Sequence, residues 1–140
     1  MIVVDTNVVA YLLIQGDKTA LARQVYAHDR EWIVPALWKH EFLNVLATFV
    51  RHGGGDIATA TRIWQEAIGL LSARQWDINL VDALRLAVDQ NISAYDAQFV
   101  VLAHSVATPL ISEDRKLQTL FPQTVRSMQA FLEDTKNSTV

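Results

Sequence analysis

Four acidic residues stand where the surrounding pattern does not favour an acid: Asp5, Glu41, Asp96 and Asp114. Asp5 ends the run Ile2-Val3-Val4, a short apolar stretch that reads as a strand buried on both faces. A carboxylate at the carboxyl end of a central parallel strand occupies the place where open α/β sheets bind ligands. Asp114 repeats the pattern just after Leu110-Ile111-Ser112. Glu41 falls one turn after Leu37 and one turn before Val45, inside the apolar stripe of its helix. Acids are rare in such places unless paired or bound to metal. Asp96 shares a helical face with Val100 and Ala103, three residues after Ser93.

Each acid also has a structural explanation. Asp5 and Asp114 suit helix N-caps, Asp96 suits a capping box with Ser93, and Glu41 suits a salt bridge. One shared site accounts for all four at once. Two carboxylates ~4 Å apart repel by about 4 kcal/mol at an effective dielectric near 20. Such a group persists only if protonated, separated or neutralised by a cation. Oxygen donors without cysteine or an evident histidine pair favour Mg2+ or Mn2+ over Zn2+. A divalent ion held by carboxylates suits phosphodiester hydrolysis, because it activates water and stabilises the leaving oxygen.

The elements that must position these acids alternate between strand and helix. A helix from Asn7 to about Ile14 breaks at Gly16, and a second, capped by Asp17, runs to about Asp29. Trp32-Ile33-Val34 reads as a strand stopped by Pro35, and Ala36 to Arg51 as an amphipathic helix. Gly53-Gly54-Gly55 follows no strand, so it reads as the turn of a helical hairpin over about residues 36–72 rather than a phosphate loop. Asp56 caps the second helix, and the pair could project as a helical arm; the four Trp residues read best as core or helix-interface residues, although Trp64 on that arm could meet a partner. Asp77 to Leu80 reads as a short strand, and Val81 to Gln90 as a helix. The helix after Ser93, with Tyr95 and Phe99, is apolar nearly all round and is expected to be deeply buried. Strands at 109–112 and 124–127 flank a short helical turn at 115–120. The alternation predicts an α/β fold, a central parallel sheet flanked by helices.

At 140 residues the chain is long enough to bury roughly 68–70% of its unfolded surface as one domain, expected over 1–132, with a fraying polar tail at 133–140. The absence of cysteine excludes disulfides and thiolate metal sites and suits a cytoplasmic protein. Neither a signal peptide nor a membrane span is expected. Net charge is −3, yet if four of the 15 acids form one cation-filled cluster, 11 remain against 12 Lys and Arg. The remaining surface is then near neutrality, so a polyanionic substrate is neither favoured nor excluded. His28, His40, His52 and His104 share no spacing, and no nucleophile elbow or dinucleotide fingerprint is present.

Val3-Val4-Asp5-Thr6-Asn7, Glu41, Ser93-Ala94-Tyr95-Asp96-Ala97 and Leu110-Ile111-Ser112-Glu113-Asp114-Arg115-Lys116-Leu117 together resemble the PIN-domain nucleases. The likeness is greatest to the small VapC-type toxins of toxin–antitoxin pairs, and it spans Ile2 to about Phe131. It implies a Mg2+-dependent endoribonuclease, with Mn2+ able to substitute. Asp5, Glu41, Asp96 and Asp114 would be its acidic quartet, Asp5 and Asp96 the foremost metal ligands. Asn7 and Ser112 match supporting polar positions, Ser112 standing where many relatives have threonine. The resemblance further implies an RNA substrate, a cognate antitoxin and a homodimer. The alternatives are a non-catalytic PIN-like module that binds RNA or a protein, and a phosphatase of the haloacid dehalogenase type. The phosphatase requires an acid two residues after the first, where this chain has Asn7.

Overall fold

A computed structural model describes residues 1–138. Four short parallel strands form the centre: β1 (Ile2–Val4), β2 (Trp32–Ile33), β3 (Leu110–Ile111) and β4 (Val125–Arg126), in the order β2-β1-β3-β4. Val3 pairs with Ile33 on one side and with Leu110 on the other, so β1 is buried between two neighbours. All three of its residues are buried, as a continuous β-branched run requires. The chain steps from β1 to β2 on one side of the sheet and returns to β3 on the other. The winding therefore reverses between β1 and β3, the strand ends where a crevice opens in α/β sheets.

Among the described residues eight α-helices surround the sheet: α1 (Thr6–Leu13), α2 (Thr19–His28), α3 (Trp38–His52), α4 (Ile57–Leu71), α5 (Leu80–Gln90), α6 (Ala94–Val106), α7 (Arg115–Leu120) and α8 (Met128–Asn137). The α/β class, the parallel sheet and the helical hairpin expected over residues 36–72 are all present, the hairpin as α3 and α4. At its turn Gly54 has φ +79, and a Cβ on Gly55 would lie 2.1 Å from the Phe49 ring. Both positions thus require glycine for different reasons. The hairpin does not project freely. Trp64 stacks 6.3 Å from Trp38 and 6.4 Å from Phe42, and Ala60, Ile63, Ala67 and Leu71 are buried. The α3–α4 pair is part of the core.

Other departures have local causes. Residues 77–79 form no strand, because the Asn79 side chain accepts from Val81 N and Asp82 N and starts α5 at Leu80. The extra sheet contact is instead a parallel bridge between Val34 and Gln75. Asp17 does not cap α2. That helix begins at Thr19, whose hydroxyl accepts from Gly16 N and donates to Ile14 O, tying the turn to α1. Helix α6 is buried through Ala97, Phe99, Val100, Leu102 and Ala103, but Tyr95 in its first turn is 62% exposed. Residues 133–137, expected to fray, are the end of α8, held by buried Phe131 and Leu132 and by the Arg126–Asp134 ion pair at 2.8 Å. Residues 139 and 140 lie outside the described residues. Among the described residues no helix is long and apolar enough to cross a membrane.

Candidate active site

All four acids lie at helix beginnings. Asp5 is the N-cap of α1 and Asp114 that of α7, while Glu41 and Asp96 lie in the first turns of α3 and α6. The capping roles expected of Asp5 and Asp114 are present, and they leave room for a shared site. Each acid complements a positive helix end, worth about 0.3–1 kcal/mol. Three of the four, Asp5, Glu41 and Asp96, open into one cleft of about 520 Å3. Thr6, Asn7, His40, Asn44 and Tyr95 line it with them.

Asp5 is the best held. Its Oδ1 accepts from Val8 N at 3.1 Å, and its Oδ2 accepts a short hydrogen bond from Ser112 Oγ. Ser112 is fully buried, and its hydroxyl also accepts from Asp114 N at 3.1 Å. One hydroxyl thereby joins the carboxyl ends of β1 and β3. Gln118 Nε2 donates to Ser112 O at 2.8 Å and braces the same corner. Glu41 Oε1 accepts from the buried Thr6 hydroxyl at 2.7 Å. Ser93 Oγ accepts from Asp96 N at 2.9 Å, so the backbone of Asp96 serves the cap. Asp114 Oδ1 accepts from Leu117 N at 3.0 Å.

Electrostatics separates these acids from ordinary caps. Burial pushes the Asp5 carboxyl up to about 6, against hydrogen bonds from Ser112, Val8 and Asn7, with a further rise from the charge of Glu41. Burial also raises Glu41, opposed by the Thr6 hydroxyl and reinforced by Asp96. Asp96 is raised by burial and by Asp114, opposed by Ser93 and by Lys116. Desolvation outweighs the helix ends in all three cases. Among the described residues, none of the four acids forms an ion pair; the salt bridges present join Met1 to Asp29 and Arg126 to Asp134. The expected salt bridge for Glu41 is absent there.

Charge coupling runs as a chain, from Asp5 to Glu41, Glu41 to Asp96 and Asp96 to Asp114. Asp114 does not line the cleft; its carboxylate couples to Asp96, and its backbone amide is linked to Asp5 through the Ser112 hydroxyl. Among the described residues no three acids or histidines close on a point that could hold a metal ion. The donor set nevertheless fits a hard divalent cation. It is all oxygen, it carries excess negative charge, and part of it is desolvated.

Asn7 lines the cleft, and Ser112 stands behind Asp5 as its hydrogen-bond donor. Thr6 escaped sequence reasoning. A threonine at the start of a helix carries no periodic signal, and its partner lies 35 positions away. His40 and Asn44 also went unremarked as a pair, although their spacing of four on α3 puts them on one face.

Comparison with known proteins agrees with this architecture. A relative from Pyrobaculum aerophilum named Ribonuclease VapC3 is 27% identical over 127 residues, covering 89% of this chain and 97% of its own. The crystal structure of PAE2754, also from Pyrobaculum aerophilum, superposes with a TM-score of 0.76 at 22% identity, covering 95% of this chain and 94% of that one. FitAcB from Neisseria gonorrhoeae superposes with a TM-score of 0.69 at 16% identity, covering 92% and 99%. At those identities the two structures speak for the fold. The model of the PIN domain matches residues 2–120, nearly the whole sheet with its helices and all four acids, and the chain belongs to the PIN-domain family.

Proposed function

We propose that this protein is a metal-dependent endoribonuclease, the toxin of a toxin–antitoxin pair, acting in the cytoplasm. The observation that carries the reading is the chain of four coupled carboxylates, Asp5 and Asp114 after the two central strands and Glu41 and Asp96 in the first turns of α3 and α6, with no ion-pair partner among the described residues. Family membership and a relative named as a ribonuclease support it.

Asp5 and Asp96 are the foremost candidates to hold Mg2+ or Mn2+, with Glu41 and Asp114 completing the shell or orienting water. A bound divalent cation would supply an activated water and would neutralise charge on the leaving oxygen. The chain's own residues do the rest. Ser112 donates to Asp5 Oδ2 and Val8 N to Oδ1, so the carboxylate is held in one orientation at the cleft. Thr6 fixes one oxygen of Glu41, so the other remains available to accept a proton from water. The N-termini of α1, α3 and α6 line the cleft and bring partial positive charge to it, which favours a phosphate approaching an acidic cleft.

The partner surfaces belong to the same proposal. Leu43, Leu46, Val50, Ile57, Ala60 and Trp64 line an apolar groove of about 410 Å3 between α3 and α4, suited to an apolar segment of an antitoxin. Leu80, Val81, Leu84 and Val88 form an exposed stripe on α5 that suits a homodimer.

A second reading, a PIN-like module that binds without cutting, is favoured by the absence of a three-acid convergence among the described residues. Incubation with single-stranded RNA decides between them. Cleavage in Mg2+ or Mn2+ that EDTA stops and Asp5→Asn abolishes is expected. Intact RNA in every condition, with the protein folded, would favour the binding module.

A further inference from the structure

Beside the acids, the cleft carries one aromatic side chain open to solvent. Tyr95 is 62% exposed, lines the cleft and directly precedes Asp96 in the first turn of α6. Among the described residues its hydroxyl has no hydrogen bond and its ring no aromatic or cationic neighbour. On α3, His40 and Asn44 line the same cleft, likewise exposed, and their side chains make no hydrogen bond among the described residues. A lone exposed aromatic is ordinarily unremarkable. Its place beside an acid of the proposed site, with two free polar side chains on the same cleft, gives it a use.

We propose that Tyr95 is a stacking platform for one unpaired nucleobase next to the scissile phosphate. The inference takes its substrate class from the ribonuclease reading. An aromatic face accepts any unstacked base, whereas a base inside a duplex has both faces covered. His40 and Asn44 offer donors and acceptors within the cleft for the edge of that base. Tyr95 positions the RNA and takes no part in the bond-breaking step.

The test compares wild type, Tyr95→Ala and Tyr95→Phe on a short single-stranded RNA in Mg2+, and on the same strand with an abasic nucleotide at each position in turn. Binding is read in parallel by fluorescence anisotropy, with Ca2+ replacing Mg2+. Loss of one stacked base corresponds to roughly 5- to 150-fold. Tyr95→Ala should raise KM by that factor with kcat nearly unchanged, and Tyr95→Phe should restore it. One abasic position should weaken wild type by a similar factor and leave Tyr95→Ala unaffected. Cleavage with no such coupling at any position, or with no rescue by phenylalanine, overturns the stacking role and leaves the nuclease intact. Coupled binding without cleavage overturns the nuclease and keeps the stacking role. Neither binding nor cleavage overturns both.

Discussion

Ser112 and Asp5, 107 positions apart, are joined by a hydrogen bond from the Ser112 hydroxyl to Asp5 Oδ2 across the two central strands. The same hydroxyl accepts from Asp114 N, so one buried oxygen sets two of the four acids. Ser112→Ala leaves the Asp114 amide without its acceptor and Asp5 Oδ2 without its Ser112 donor, at a cost of about 1–3 kcal/mol. It also removes the hydrogen bond that holds the Asp5 carboxyl down. The acid limb of the cleavage profile should therefore move to higher pH. Ser112→Thr keeps the hydroxyl and should keep the profile, with some loss of stability from overpacking a fully buried position. Thermal midpoints and a pH–rate profile check both statements.

Asp5 should make the metal-free protein less stable as pH rises. Its folded pKa stands above the unfolded value, so its stability contribution is complete below about 3.8 and is lost as pH climbs through about 6. The rise from 3.8 to about 6 corresponds to about 3 kcal/mol. Asn at this position can still accept from Val8 N and carries no buried charge. In EDTA at pH 7.5, Asp5→Asn should melt roughly 6–12 °C above wild type, and the gap should close toward pH 4. Scanning calorimetry at the two pH values tests this; a mutant less stable at pH 7.5 would contradict it.

Asp96→Asn should abolish cleavage without lowering the melting temperature of the metal-free protein. The cap of α6 uses the Ser93 hydroxyl and the Asp96 backbone, which the substitution leaves in place. A clear drop in stability would mean that the Asp96 carboxylate serves chiefly the helix.

Thr6→Val removes the donor to Glu41 Oε1, and Thr6→Ser retains it. The valine variant should lose about 1 kcal/mol of stability. Because the Thr6 hydroxyl lowers the Glu41 pKa, its loss should shift the pH–rate profile upward. The serine variant should behave as wild type, and equal profiles for all three would remove Thr6 from the site.

What the sequence made legible follows the range of each interaction. The run before Asp5, the caps at Asp56, Ser93 and Asp114, and the apolar stripe around Glu41 are local patterns, and each is found in place. Residues 77–79 were misread because two alternating apolar residues look like a strand, while the Asn79 cap dominates. Tyr95 was assigned to the core from the composition of its helix, yet a first turn at the open end of the sheet faces the cleft. The links from Thr6 to Glu41 and from Ser112 to Asp5 are long-range, and no spacing rule reveals them. Trp64 was legible as an interface residue but not as part of a stack with Trp38 and Phe42, because two separate helices form it.

Mn2+ binding, followed by the paramagnetic signal of the free ion at pH 7.5, tests most directly whether these carboxylates gather on a cation. Wild type should bind Mn2+, and Asp5→Asn and Asp96→Asn should each weaken binding at least about tenfold, the equivalent of 1.4 kcal/mol. Folded wild-type protein that leaves all the Mn2+ free, or variants that bind it as tightly as wild type, would contradict the account.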